Sequence, residues 1–389
     1  MAWSRSRGKK CALPPHGEDA HDCCRRDAGR RPGGEGWTLA TQLRYLPATW
    51  ARFWRPATVA LDLGTDAFRL AHAGNRSLME IPSRAVLDQR GHVAATGKRA
   101  LYMEERLPDT WQAVLPVEVG HLSHPAAARL LIRQLLRQLQ RRRLWKPRLI
   151  LASPVGMTPM ERTVLTGFLR ELPVRDFRFA EVSVAQCLGA GQDPAGVPGM
   201  MVVDIGAQRT GLTILSFGRP VFSEHWPMGG HSWTAALRTA VEDEYRVRVP
   251  RVVVEQWKRT GGDGRLPVQD RLTGRLRMLE LPVSFADAVL ERTSAILVEH
   301  IAGVFTRCPP ALRMDVQQRG ILLVGNGSRL PGLRERLQGD LGLDITLPED
   351  PGRCLVRGLA RMTQPVAPVA AADEDGTEPA VDLFPLEAF

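Results

Sequence analysis

The alternation of apolar and polar positions predicts an α/β protein between residues 57 and 364. Short apolar runs that are typical of strands alternate there with longer stretches whose apolar residues recur at helical spacing. Such alternation favours sheets that are covered by helices. The flanking segments lack this pattern. Residues 1–36 are polar and rich in Gly, Pro and Arg, and residues 365–389 are acidic and rich in Pro and Ala, so both are predicted to be disordered.

A short aromatic segment, residues 37–56, lies between the leader and the α/β body. Its apolar side chains recur at spacings of three and four, as on one face of a helix: Leu39, Leu43, Leu46, Trp50 and Phe53. Pro47 divides this face into two shorter pieces, and arginines flank it. Two interpretations are open. The basic, Trp-rich stretch lies in a membrane interface, or it packs on the body of the protein.

Two segments of the body resemble each other. Residues 58–72 read TVALDLGTDAFRLAH, and residues 201–215 read MVVDIGAQRTGLTIL. Each predicts a strand that ends near an aspartate, Asp62 or Asp204, followed by a tight turn and a second strand. One such unit alone would mean little, because strand–Asp–turn units are common. Two copies, each at the head of an α/β segment, indicate two related halves rather than a repeat array.

The chemistry of two such hairpins suits a nucleoside triphosphate. Glycine in each turn lets the backbone approach a ligand closely, and successive amides can hold phosphate oxygens. A carboxylate beside each turn can hold the waters around Mg²⁺. A third element, residues 320–333 (GILLVGNGSRLPGL), predicts a strand, a glycine-containing turn and a helix. That turn allows the close approach that an adenosine or a phosphate needs.

The order of these three elements resembles the actin-type ATPase superfamily, and several stretches resemble its MreB family. These stretches are ALDLGT (60–65), PRLILASPVGMTPMERTVL (147–165), VVDIG (202–206), the glycines 229–230, EQWK (255–258), PPALRMDVQQRGILLVGNG (309–327) and EDPGRCLVRGLAR (349–361). They occur in family order and span nearly the whole predicted body. The resemblance implies an α/β, actin/Hsp70-type ATPase fold with two related domains, 57–186 and 187–364, around a nucleotide cleft. It also implies a C-terminal helix that returns to the first domain.

The same resemblance implies ligands, ATP and Mg²⁺, and the residues that hold them. The predicted phosphate-binding residues are Asp62, Gly64, Thr65, Asp204, Gly206, Arg209 and Thr210. Asp62 and Asp204 would hold Mg²⁺ through water. The predicted adenosine-binding residues are Glu255, Lys258, Gly325, Asn326 and Gly327. Glu255 and Lys258 also fit an ordinary surface ion pair three residues apart on a helix, so both interpretations are open.

Both predicted phosphate loops depart from the family pattern. Where the family reads Asp-Ile-Gly-Gly-Gly-Thr-Thr, this chain has Ala207, Gln208 and Arg209 after the first glycine. Ala207 and Gln208 put side chains where bare backbone would meet phosphate, and both tolerate positive φ poorly. Arg209 can pair with a phosphate or fill its site. In the first loop, Asp66 is expected to place a negative charge near the phosphates, and Phe68 is expected to add a bulky side chain there.

The clearest departure falls on the catalytic position. The family motif Glu-Glu-Pro-x-Ala-Ala-Ala corresponds to residues 181–187, so the glutamate that positions the attacking water falls on Val182. Valine cannot orient a water, and loss of a positioned general base typically costs about 10²–10⁴-fold in rate. Glu181 is intact, and a one-residue shift would let it substitute. The sequence therefore predicts at most a weak ATPase.

The resemblance implies a cytoskeletal function. The predicted protein acts in bacterial cell-shape determination and cell-wall morphogenesis, and it polymerises or joins filaments of a relative. The expected partners are its own or related filaments, wall-synthesis and membrane-morphogenesis proteins, and the inner membrane surface. The expected location is cytoplasmic, peripheral at the inner face of the cell membrane. The open alternative is an actin-fold small-molecule kinase or another ATPase that forms no filament.

Charge and cysteines change this picture little. The chain of 389 residues has a net charge of +10, which favours anionic partners. No recognition helix, zinc finger or aromatic RNA platform accompanies the arginines, so nucleic acid is not a predicted partner. Three cysteines in apolar segments are predicted to be buried thiols: Cys187, Cys308 and Cys354. The leader groups five residues at a spacing that fits no zinc pattern: Cys11, His16, His21, Cys23 and Cys24.

Overall fold

The computed structural model of the protein describes residues 57–72, 78–140, 146–261 and 265–363. All of these belong to one compact unit, Phe53–Phe389. The predictions for the leader with its Cys/His cluster, for segment 37–56 and for the acidic tail lie outside the described residues. The three cysteines predicted to be buried thiols are buried.

The strands of the described residues form two large sheets and three small ones. In chain order the strands are β1 (Thr58–Leu63), β2 (Ala67–His72), β3 (Leu78–Pro82), β4 (Ala85–Leu87), β5 (Val93–Thr96), β6 (Gln112–Val114), β7 (Val117–Glu118), β8 (His121–Leu122), β9 (Arg148–Ser153), β10 (Asp176–Glu181), β11 (Met200–Ile205), β12 (Thr210–Ser216), β13 (Arg219–Trp226), β14 (Val247–Arg248), β15 (Arg265–Asp270), β16 (Leu276–Glu280), β17 (Ile321–Val324) and β18 (Ile345–Thr346). Both halves of the chain therefore contribute strands in the predicted order.

The helices carry amphipathic faces that cover these sheets. In chain order they are α1 (Lys98–Met103), α2 (Pro125–Gln140), α3 (Pro159–Arg170), α4 (Val182–Gly189), α5 (Gly230–Tyr245), α6 (Arg251–Arg259), α7 (Val283–Arg307), α8 (Pro310–Arg319), α9 (Leu333–Leu341) and α10 (Cys354–Arg361). Helix α3 begins at a capping box, in which Thr158 and Glu161 satisfy each other's backbone amides. Over the described residues, no helix is both long and apolar enough to cross a bilayer.

The two large sheets have the same topology. The first has the strand order β10-β9-β1-β2-β3, and the second has the order β18-β17-β11-β12-β13. In each sheet three consecutive strands form an antiparallel meander, β1-β2-β3 or β11-β12-β13. The first strand of each meander also pairs in parallel with a later strand, β9 or β17, and that strand pairs in parallel with β10 or β18. The prediction of two related halves is confirmed by this repeated topology.

Each large sheet packs against its own apolar core. In the first half, one face of α2 provides Leu131, Ile132 and Leu135 at helical spacing, and these residues pack against β1 and β9. In the second half, a larger core joins β11 and β12 to α5 through side chains such as Trp233 and Leu237. The two hairpins that carry the predicted phosphate loops are therefore held by separate cores.

Helices α4 and α10 lie between the two sheets. They pack on the first sheet through one apolar cluster and on the second sheet through another. A Cβ on Gly189 would lie 1.7 Å from the carbonyl oxygen of Cys354, and one on Gly358 would lie 1.6 Å from that of Ala185. This crossing therefore requires glycine at both places. The boundary predicted between residues 186 and 187 falls within α4 and stays a prediction.

Candidate nucleotide cleft

A cleft of about 900 Å³ lies between the two phosphate hairpins, with α4, α6 and the turn after β17 completing its walls. Ligand pockets typically measure roughly 300–1,000 Å³, so the cleft has room for a nucleotide. The structure brings these predicted residues together in its walls: Asp62, Gly64, Thr65, Val182, Asp204, Gly206, Arg209, Glu255, Lys258, Gly325, Asn326 and Gly327.

Two predicted residues, Glu181 and Thr210, do not line the cleft. Thr210 is fully buried, and its hydroxyl donates a 2.7 Å hydrogen bond to the carbonyl of Met228. Glu181 ends β10, where burial raises the pKa of its carboxyl against the opposing effect of nearby backbone amides. Val182 does line the cleft. The wall position that the family gives to a glutamate is therefore apolar in this chain.

The first phosphate hairpin differs from the sequence prediction at two positions. The expectation that Phe68 adds bulk near the phosphates is wrong, because its ring is fully buried in the core of the first half. Asp66 does lie at the cleft, but Arg84 counters its charge with a guanidinium nitrogen 3.4 Å from the carboxylate. Arg84 also donates to the carbonyl of Thr65 at 3.3 Å. The loop therefore does not present an uncompensated negative charge.

Asp62 pairs with an arginine that the sequence interpretation missed. In the hairpin register Asp62 lies directly opposite Arg69, whose Nη1 is 3.1 Å from the carboxylate. The Nη2 atom of Arg69 lies 3.1 Å from Glu80 on β3. Burial raises the pKa of Asp62, and the charge of Arg69 opposes that rise. The first of the two carboxylates assigned to Mg²⁺ therefore already faces a fixed cation.

Asp204 has an amide as its partner. Gln186, on α4, donates from Nε2 to a carboxylate oxygen of Asp204 at 2.6 Å. Burial raises the pKa of Asp204 to about 6, although the hydrogen bond from Gln186 opposes the rise. The charge of nearby Asp62 adds to the increase. Gln186 stands where the motif quoted above has alanine, and an alanine side chain could not make this contact.

The second phosphate loop reaches across the cleft to the first half. The backbone amide of Val119 donates to Oε1 of Gln208 at 3.0 Å, and the guanidinium of Arg209 donates to the carbonyl of Val155. The backbone of residues 206–209 stays out of the left-handed region. The substituted loop is therefore accommodated without backbone strain, and its side chains bridge the halves.

Two further contacts bring distant segments of the chain together. The amide of Val252, at the start of α6, donates to the carboxylate of Glu105 at 3.3 Å. Arg353, in the turn before α10, lies 3.3 Å from Glu80 and 3.2 Å from Asp350. The first half is therefore tied to the rest of the body at several separate points.

Lys258 and Glu255 form a partly buried pair, in which Lys258 is buried and Glu255 is partly exposed. The Nζ atom of Lys258 donates to Glu255 at 2.8 Å, to the carbonyl of Gly230 at 2.8 Å and to the hydroxyl of Thr234 at 2.9 Å. Burial lowers the pKa of Lys258, and the charge of Glu255 counters this effect. The pair therefore fixes α6 to the start of α5 at the predicted adenosine side of the cleft.

The glycine turn after β17 approaches the second phosphate hairpin closely. A Cβ on Gly325 would lie 2.3 Å from a carboxylate oxygen of Asp204, and one on Gly327 would lie 2.4 Å from the side chain of Ile205. Gly325 has a φ of 85°, whereas Asn326 does not adopt positive φ. The left-handed geometry of this turn therefore falls on a glycine, which explains why asparagine is accommodated beside it.

Comparison with known proteins identifies relatives over most of this chain. The family profile described as MreB/Mbl protein matches residues 56–370. The cell shape-determining protein Mbl of Bacillus subtilis (strain 168) is 25% identical over 315 residues, which cover 78% of this chain and 95% of that relative. The cell shape-determining protein MreB of Escherichia coli (strain K12) is 26% identical over 316 residues, which cover 77% of this chain and 91% of that relative.

Solved structures resemble the fold as a whole. The crystal structure of MreB5 of Spiroplasma citri bound to ADP has a TM-score of 0.74 at 21% identity, and the match covers 79% of this chain and 96% of that one. A MamK double helical filament has a TM-score of 0.68 at 16% identity, and the match covers 80% of this chain and 100% of that one. These likenesses show the fold, which is the predicted actin type.

The repeated sheet topology and the cleft between the halves define an actin-type protein. Because the family profile spans most of the chain, the chain belongs to the MreB/Mbl family. The prediction of a bacterial actin-like cytoskeletal protein involved in cell shape is confirmed by this membership. It favours the cytoskeletal interpretation over the small-molecule kinase.

Proposed function

We propose that this protein is an actin-like scaffold that assembles, alone or with filaments of a relative, with little dependence on nucleotide. The observation that carries the proposal is the bridge from the second phosphate loop, Gln208 and Arg209, to Val119 and Val155 of the first half. A nucleotide clamped between two hairpins would join the halves. Here the chain's own side chains make that connection.

The strength of this bridge can be compared with the cost of opening the cleft. A hydrogen bond typically contributes about 0.5–1.5 kcal/mol net. The four contacts of Gln208, Arg209, Gln186 and Glu105 would together contribute about 2–6 kcal/mol on that scale. Each 1.4 kcal/mol is about a tenfold change in an equilibrium. The bridge would therefore favour the closed state by a factor of about 30 to 20,000.

Nucleotide binding is a second part of the proposal. MreB5 of Spiroplasma citri was crystallised with ADP and with AMPPNP, which supports an adenine nucleotide as the ligand of this fold. In this chain the adenosine side of the cleft keeps the partly buried Lys258–Glu255 pair and the close Gly325 turn. The phosphate side has Arg209 in the loop and Val182 in the wall. We therefore expect weakened binding and slow or absent hydrolysis.

Membrane attachment and partners complete the proposal. The basic, Trp-rich stretch 37–56, which lies outside the described residues, supports attachment at the inner face of the cell membrane beside wall-synthesis and membrane-morphogenesis proteins. The measurement is co-sedimentation with vesicles that contain anionic lipid, for the full chain and for a chain that begins at Pro56. The shorter chain is expected to stay in the supernatant. Equal binding by both chains would rule out this segment as the attachment site.

Pelleting and negative-stain electron microscopy test assembly. The full chain is measured with and without ATP, alone and mixed with MreB of Escherichia coli. We expect filaments or co-filaments to the same extent with and without ATP. A strictly monomeric protein in all four conditions would contradict the scaffold function, and filaments only with ATP would contradict nucleotide independence.

A pair of variants separates the bridge from other causes. The double variant Gln208→Gly, Arg209→Thr brings the family residues to these two positions, keeps Ala207 and removes both bridging side chains. Its assembly is expected to become dependent on ATP. The control is Arg219→Ala, which removes an exposed arginine of β13 far from the loop contacts and should leave assembly unchanged.

A further inference from the structure

We propose that this cleft holds the phosphate groups of a nucleotide without Mg²⁺, because Arg69 already provides the positive charge that the metal would bring. The proposal deepens the proposed function, since it rests on the cleft admitting a nucleotide. It does not depend on whether filaments form. It assigns Arg69 and Gln186 the part of the site that the sequence interpretation gave to a hydrated metal ion.

The position of Arg69 is fixed by the hairpin itself. Arg69 lies opposite Asp62 in the antiparallel register of β1 and β2, and it lines the cleft. Its two terminal nitrogens are each 3.1 Å from a carboxylate, one of Asp62 and one of Glu80. The side chains of Arg69 and Asp62 are only 8% and 10% exposed, so the pair is a built part of the wall and not a mobile surface contact.

The carboxylates that would hold the waters of Mg²⁺ are engaged by donors. A hydrated Mg²⁺ ion needs acceptors around its shell, and its waters donate to carboxylates. Here Asp62 accepts from the guanidinium of Arg69, and Asp204 accepts from the amide nitrogen of Gln186 at 2.6 Å. Within the described ranges, no three His, Cys, Asp or Glu side chains gather as a metal site. The residues present therefore do not fit the metal that the family implies.

Electrostatics point the same way. Arginine keeps its charge at any pH in which the protein is folded, and a divalent cation beside it would be repelled at short range in a buried site. The anionic phosphates of a nucleotide would instead be attracted to Arg209, which lines the cleft, and to the guanidinium of Arg69, whose charge Asp62 and Glu80 otherwise balance. A guanidinium offers several donors in one plane and suits phosphate oxygens. Fixed guanidinium charge thus takes the place of the ion.

The direct test is metal dependence of nucleotide binding by the full chain. A fluorescent ATP analogue is titrated by anisotropy in EDTA and in excess Mg²⁺. We expect binding in EDTA to be at least as tight as binding in excess Mg²⁺, because the cation is part of the protein and the added ion competes with the cleft for the phosphates. Binding at least tenfold tighter with Mg²⁺ would overturn the proposal. No binding in either condition would overturn it too, while leaving assembly without nucleotide intact.

A second measurement follows the metal directly and needs no variant. Mn²⁺ complexed with ATP is titrated with the protein and observed by electron paramagnetic resonance. Only the spectra of Mn²⁺–ATP and of free Mn²⁺ in solution are expected, since the cleft takes the nucleotide without the metal. A new spectrum of protein-bound Mn²⁺ would contradict the proposal, because it would show that the cleft accepts the metal together with the nucleotide.

Variants of Arg69 test its role. Arg69→Leu frees the Asp62 carboxylate, so binding in EDTA is expected to fall at least tenfold and to return when Mg²⁺ is added. Arg69→Lys keeps a charge and should keep tight binding in EDTA. Arg148→Leu is the control, because Arg148 pairs with Asp176 and does not line the cleft. If Arg69→Leu binds in EDTA as tightly as the wild type, Arg69 is not the replacement cation.

Discussion

The two phosphate hairpins have the same backbone arrangement but hold their aspartates differently. In each hairpin the aspartate precedes the turn glycine by two residues, and one residue lies directly across the ladder from it. Arg69 lies opposite Asp62, whereas Gly211 lies opposite Asp204. Asp62 therefore receives its partner from within its own hairpin, and Asp204 receives a hydrogen bond from Gln186 on α4.

Because of this difference, the first hairpin contributes to the stability of its own half, and the second hairpin contributes to closure of the cleft. The ion pair of the first hairpin is local, so its loss should weaken the first half by itself. The hydrogen bond of the second hairpin joins elements on either side of the predicted domain boundary, as do the contacts of Gln208 and Arg209. The first hairpin therefore supplies fixed charge, and the second supplies connections between the halves.

The largest expected effect is on the rate of ATP hydrolysis. It depends on α4, the helix that donates a hydrogen bond to the second hairpin. Helix α4 presents Val182 and, one turn later, Gln186 to the cleft. Because Val182 cannot position a water, phosphate release is expected to be about 10²–10⁴-fold slower than in a relative with glutamate there. A steady-state phosphate-release assay measures this. Equal rates would contradict the account.

Two variants sharpen that test. Val182→Glu should raise turnover only if the altered loops admit ATP. Glu181→Gln should leave any residual rate unchanged, because Glu181 does not line the cleft. A loss of residual activity in Glu181→Gln would instead show that Glu181 substitutes for the missing glutamate.

Removal of Arg69 is expected to have the next largest effect. Arg69→Leu leaves Asp62 buried without its cation, and breaking a buried pair typically costs about 3–5 kcal/mol. Urea denaturation measures the free energy of unfolding. Arg148→Leu is the control, because Arg148 and Asp176 form a pair that is about half exposed, for which about 0–1 kcal/mol is expected. Similar losses in the two variants would show that the first hairpin does not depend on its ion pair.

The smallest expected effect is a pH dependence that belongs to the second hairpin. The pKa of Asp204 is raised from 3.8 to about 6, so its protonated form favours the folded state. Its contribution is fully present below the ordinary pKa and is lost as the pH rises through about 6. Relative to Asp204→Asn, the wild type should gain about 1 kcal/mol of unfolding free energy between pH 7 and pH 5. Urea denaturation at both pH values measures this difference.

His231 provides a control of opposite sign. Burial lowers the pKa of His231 from 6.5 to about 4. Its stabilising contribution is therefore present above the ordinary pKa and is lost as the pH falls through about 4. Relative to His231→Asn, the wild type should lose unfolding free energy between pH 7 and pH 5. If wild type and Asp204→Asn change in parallel with pH, the environment assigned to Asp204 is wrong.

The fold could be predicted from the sequence because its signals are local. Each hairpin has apolar strands on both sides of a glycine turn, and the turn after β17 has glycine where the backbone needs positive φ. The pairing of Asp62 with Arg69 could also have been predicted from the sequence, because a turn at residues 64–66 places residue 69 opposite residue 62 in the hairpin. Alternation along β2 would then have pointed Phe68 to the core.

The contacts across the cleft could not be predicted in this way. Gln186 reaches Asp204, and Gln208 reaches Val119, only because packing of α4 and α10 sets the two sheets at one particular separation. No pattern within a single strand or helix encodes that separation. From the sequence, Gln208 and Arg209 could be interpreted only as substitutions that damage a phosphate-binding loop. In the structure both side chains form hydrogen bonds across the cleft.

The central claim is that the cleft is closed by the chain's own side chains. Pulsed electron–electron double resonance tests it, with spin labels at the exposed residues Asp109 and Gln256 in a chain whose native cysteines are replaced by serine. These positions flank the contact between Glu105 and Val252. The account predicts one narrow distance distribution that is the same with and without ATP. A longer or broader distribution without nucleotide, which shortens when ATP is added, would contradict it.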